Sequence, residues 1–158
     1  MKTSSIHDIQ KELKTLSLKQ VQEVCLRIAK YKKENKELLA YLLFEAHDEK
    51  MYIETIKKEM DSLFTAINKT TAYTTKKGLQ KSVRLLNRYI KYSESKTTEI
   101  ELRIYFCKKI KTARIPLNEN KIINNLYERE LKKINLVISK LHEDLKYDYD
   151  QELITLLG

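Results

Sequence analysis

The chain reads as an all-α protein of seven to eight helices, and three observations lead there. Two Gly and one Pro in 158 residues leave almost nothing to break a helix. Apolar residues recur at the 3-4 spacing of a buried helical stripe nearly throughout. The stretch Lys36–His47, KELLAYLLFEAH, carries Leu38, Leu39, Tyr41, Leu42, Leu43 and Phe44 with no polar face. An all-round apolar helix must be surrounded, and this one falls short of the ~20 residues of a membrane span. It is therefore expected to be the buried centre of one domain, 1–158.

The elements follow in order. Ser4 or Ser5 caps a first helix with Asp8 in its first turn and Ile6, Ile9, Leu13 and Leu16 as its stripe. Ser17 opens a second, with Leu18, Val21, Val24, Cys25 and Ile28 on one side. Lys30–Asn35 reads as a turn, and Asn35 as the cap of the apolar helix. After HDEK at 47–50, either a break or a continuation, Ile53, Ile56, Met60, Leu63, Phe64 and Ile67 mark a helix ending near Asn68. The Thr70–Thr75 run has poor helix propensity and predicts a turn. A fifth helix runs to Tyr92 with Leu79, Val83, Leu86 and Ile90 inward and Gly78 loosening its start. SESK, 93–96, is a turn, and a sixth, broadly apolar helix stops at Ala113–Pro116 because the residue before proline leaves helical geometry. A long helix is expected from about Glu119 to Leu145. A short last one docks Leu153, Ile154 and Leu157.

An offset of 61 residues relates two segments, about 18–46 and 79–107. Each is an amphipathic helix, a Lys-Tyr exit (RIAKY, RYIKY), a polar turn and a broadly apolar helix. Stacked antiparallel hairpins of this kind resemble HEAT and armadillo-type superhelices. The opening, KELKTLSLKQVQEVCLRIAKYKKENKELLAYLLF, resembles the N-terminal hairpin of small uncharacterised bacterial helical proteins. That resemblance covers the first third, implies a fold, and carries no catalytic motif.

Charge is uneven. Residues 1–61 hold 12 basic and 11 acidic side chains, 62–114 hold 13 and 3, and 115–158 hold 6 and 8, so the formal excess of +9 lies in the middle. Lys77, Lys81, Arg84, Arg88 and Lys91 recur at 4-3-4-3 spacing opposite the inward residues of the fifth helix. No acidic residue lies between Asp61 and Glu94 to neutralise them at i,i+4. Lys76 adjoins that row, and Lys108, Lys109, Lys111 and Arg114 return toward it if the fifth and sixth helices are antiparallel. Such a face suits a polyanion, nucleic acid or an acidic protein surface. The competing reading is a face paired with the chain's own acids, 143–152 or Asp48, Glu49, Glu54 and Glu59.

A second expectation is an uncharged interaction surface. Ile122, Leu126, Leu136 and Val137 widen the stripe of the long helix enough for a homodimer. A small enzyme would instead show a polar pocket with convergent carboxylates or His. No catalytic residue and no cofactor are nominated: phosphate loops and nucleophile elbows are absent. The AHDE and LHED segments around His47 and His142 lack the spacing of a metal site. The N-terminus has no apolar h-region, and Cys25 and Cys107 sit far apart on apolar patterns, so a cytoplasmic chain with free thiols and no membrane segment is expected.

Overall fold

A computed structural model describes residues 4–117 and 120–157, without the side chain of Leu157. The all-α class holds: eight α-helices and no strand occur among the described residues. The chain divides into two compact units, Met1–Phe44 and Glu45–Gly158, where one domain was expected.

The first unit holds α1 (Ile6–Thr15), α2 (Leu18–Tyr31) and α3 (Lys33–Ala40). Ser5 and Ser17 each close a capping box, with Asp8 and Gln20, satisfying the first free N–H groups of α1 and α2. Lys32 alone separates α2 from α3, so the turn is far shorter than Lys30–Asn35. Asn35 does not cap α3. Its side-chain amide donates to the Ile28 carbonyl at 2.9 Å and ties down the end of α2 instead. α3 packs on α2.

The expected central helix is not central. A π-helical turn follows α3 at Tyr41–Glu45. Tyr41 is buried, but Leu42, Leu43 and Phe44 are 58, 62 and 70% exposed. None of α1, α2 and α3 contains a buried residue. All-round apolarity demands cover, and a unit of three short helices does not supply it.

The second unit holds α4 (Glu49–Thr65), α5 (Ala72–Ser93), α6 (Lys96–Thr112), α7 (Lys121–Ile138) and α8 (Glu143–Leu157). α6 takes the centre, packed against α4, α5, α7 and α8. Ile100, Leu102, Ile104, Phe106, Cys107 and Ile110 are essentially inaccessible there. Asp48 caps α4, so HDEK is a true break. Thr71 caps α5 through a capping box with Thr74, so only the first half of the threonine run is a turn. Glu94, in the left-handed region at φ 56°, ends α5, and Ser95 caps α6. Arg114, at φ 52°, turns the chain after α6.

The long seventh helix is two helices. Ser139 ends α7, its hydroxyl donating to the Leu136 carbonyl at 2.8 Å, and the backbone turns through Lys140 and Leu141. No Gly or Pro marks this break, so periodicity ran across it. The expected start at Glu119 lies outside the described residues. On α8, Leu153 and Leu156 are buried and Ile154 is 62% exposed, a rotation from the expected docking face.

Candidate polyanion site

α5 presents two opposed faces. Thr75, Leu79, Ser82, Leu86 and Ile90 are buried, while Lys77, Lys81, Arg84 and Lys91 point to the other side and are exposed. Val83, expected inward, is half-buried, and Lys76 is half-buried at the flank. Among the described residues, no carboxylate lies within ion-pairing distance of Lys77, Lys81, Arg84 or Lys91. Lys77 stands 5.3 Å from the centre of the Tyr73 ring, a cation–π contact that leaves its charge available. Arg84 donates to the Gln80 carbonyl at 3.3 Å. Arg88 differs: it is half-buried, stands 5.2 Å from the Tyr89 ring and is engaged within the chain.

Two clefts meet at Arg84. One, of about 350 Å³, lies between the end of α4 and the start of α5, with Leu63 and Ile67 as apolar lining and Lys77, Lys81 and Arg84 as its charges. The other, of about 360 Å³, lies between α5 and α7, lined by Gln80, Val83, Arg84, Leu126 and Arg129. Arg129 was not legible as part of the row, because residues 115–158 are acidic in balance and bring no basic run to notice. Leu126, read as spare apolar surface, is a buried floor residue of this cleft.

The α6 cations do not join the row. Lys109 pairs with Asp61 of α4 at 2.7 Å, and Lys108 with Glu152 of α8 at 2.6 Å. Lys111 donates to the Leu156 carbonyl at the end of α8. Burial alone would raise the Asp61 carboxyl, but hydrogen bonds from Lys109 and from the Tyr105 hydroxyl outweigh it and hold the pKa below its ordinary value. Arg114 is exposed at the turn after α6. The acids near the C-terminus thus claim part of the α6 cluster and none of the four α5 cations named above.

A polar pocket of about 180 Å³ between α4, α6 and α8 is lined by Lys57, Glu101, Tyr105, Lys108, Tyr149 and Glu152, with Ile104 beneath. It holds carboxylates, the sign set for a small enzyme: Lys108 pairs with Glu152, Lys57 pairs with Glu54, and Glu101 accepts from the Tyr149 hydroxyl at 3.5 Å. Burial, then nearby carboxylates, push Tyr105 and Tyr149 up to about 12, so neither exchanges a proton near neutrality. Arg103 and Glu130 form a buried pair between α6 and α7, which the apolar reading of α6 missed. Glu99 on α6 and Lys133 on α7 complete it at 2.7 Å each.

Among the described residues no group of three or more His, Cys, Asp or Glu is placed to hold a metal. No described helix is long and apolar enough to cross a membrane. No protein family, curated protein or solved structure matches this chain.

Proposed function

We propose that the chain is a non-enzymatic helical binding module whose outer α5 face docks an acidic macromolecule, nucleic acid before an acidic protein surface. The observation that carries the reading is the row Lys77, Lys81, Arg84 and Lys91, exposed and without a described carboxylate partner. From Lys77 to Lys91 it extends for roughly 20 Å of helix. A one-signed row costs a few tenths of a kcal/mol per neighbouring pair, so local helix stability does not explain it. An evenly charged polymer gains from it by releasing counterions. Arg129 extends the row across the cleft toward α7.

Retention on duplex DNA and on heparin, measured against ionic strength, tests this. Neutralising about four phosphates gives a log–log salt slope of roughly −3.6. Lys81→Glu with Arg84→Glu is expected to abolish retention at moderate salt while circular dichroism stays unchanged. Arg88 is left intact, since its engagement within the chain would confuse folding with binding. Binding that survives the double reversal rules the row out, and binding to an acidic protein alone assigns it to that partner.

A further inference from the structure

The first unit leaves unburied what the second buries. Among its described residues only Tyr41 is buried, and apolar surface on that scale in a 44-residue unit calls for a partner. Its open surface has a pattern. On α2, Leu18, Val21, Val24, Cys25, Ile28 and Tyr31 fall within an arc of roughly 140°, and no other residue of the helix enters that arc. The arc reads the same in both directions: about a midpoint between Val24 and Cys25, Leu18 exchanges with Tyr31 and Val21 with Ile28. A stripe that maps onto itself when the helix is reversed meets the requirement of an isologous, twofold contact.

We propose that this face is covered by the same face of a second copy, with the two α2 helices antiparallel and the two α2–α3 hairpins closing a four-helix bundle. The pairing brings Leu18 to Tyr31, Val21 to Ile28 and Val24 to Cys25, apolar at every layer. α3 widens the surface: a cleft of about 150 Å³ runs between Cys25 and Ile28 on one side and Leu38, Leu39 and Leu42 on the other. A second, of about 530 Å³, opens beside Val24, Ile28 and Tyr31, with Arg27, Lys30 and Asn35 as its polar rim. Leu18, Val24, Ile28, Tyr31 and Leu42 are 75, 37, 54, 77 and 58% exposed. With the exposed Cys25 they form one apolar surface, and covering it on both copies is of the order of the ~1,200 Å² at which specific stable interfaces begin. This surface differs from the one expected on α7 and does not depend on the α5 reading. A dimer would carry two α5 rows, which multiplies avidity for a long polyanion.

Sedimentation of the full chain over a concentration series tests the proposal, with Ile28→Glu inside the arc and Leu26→Glu outside it. Both positions are more than half exposed, so both variants fold. The wild-type chain and Leu26→Glu are expected to dimerise alike. Ile28→Glu places two charges in the contact and raises the half-association concentration by about a hundredfold or more. A short bis-maleimide should link two wild-type chains through Cys25, since Cys107 is buried, and should link none of Ile28→Glu. A monomer at all concentrations, including one that sediments with anionic vesicles, overturns the proposal. So does a dimer indifferent to Ile28→Glu, or one lost equally in both variants.

Discussion

Two stretches of this chain carry broad apolar runs, 38–44 and 100–110, and they sit in opposite surroundings. Lys96–Thr112 lies at the centre of four others, while Lys33–Ala40, which leads into the first run, has α2 as its packed neighbour within the first unit. The 61-residue offset aligns them position by position. Leu43, 62% exposed, corresponds to Ile104 at 1%. Leu42, 58% exposed, corresponds to Arg103 at 5%. The charged residue is inside and the leucine outside, the reverse of what each prefers. Burial here is set by how many helices pack on the segment: α4, α5, α7 and α8 lie against α6, and α2 against α3. Arg103 is tolerated because Glu99 and Glu130 both accept from its guanidinium.

The largest expected effect probes that arginine. Glu130→Leu leaves Arg103 buried with Glu99 as its remaining partner, and should cost about 3–5 kcal/mol in urea unfolding. Replacing Arg103 by Leu as well should recover most of that loss, because two leucines pack where a charge pair stood. If the double variant were no better than the single, the network would have a role beyond neutralising itself. Next comes the aligned pair: Ile104→Ala should cost about 2–5 kcal/mol and Leu43→Ala less than about 0.5, each measured below any self-association. Equal losses would mean that the first hairpin is as covered as the second.

Much of this was readable beforehand. The caps at Ser5 and Ser17 and the two faces of α5 followed from local chemistry, in which a residue's neighbours in sequence are its neighbours in space. What failed was long-range. Periodicity says that Leu42, Leu43 and Phe44 want cover, not that the chain provides it. Charge balance says that Lys108 and Arg84 are both basic, not that Glu152 lies 2.6 Å from the first while no described carboxylate pairs with the second. Arg129 belongs to the site through the α5–α7 cleft, a relation spanning 45 residues of chain. At the α7–α8 break Ser139 donates to the Leu136 carbonyl, a contact that suits a helix end and is tolerated within a helix, so it gave no signal.

The smallest effect concerns the part of α5 that has no counterpart in the first hairpin. The offset sets Gly78 against Ser17, where α2 begins, yet α5 starts earlier, after Thr71. A Cβ on Gly78 would stand 2.7 Å from Cγ1 of Ile67, closer than carbon atoms allow. Alanine is favoured over glycine in a helix by about 1 kcal/mol, but Ile67 is 8% exposed and β-branched, so it has little room to rotate away. Overpacking of this kind costs about 1–3 kcal/mol, and the balance for Gly78→Ala is a net loss of about 1 kcal/mol. Adding Ile67→Ala removes the clashing atom, so the double variant should lose less than the two single losses together, by about 1 kcal/mol of coupling. Strict additivity would place α5 farther from the end of α4, and would widen the cleft where Lys77, Lys81 and Arg84 converge.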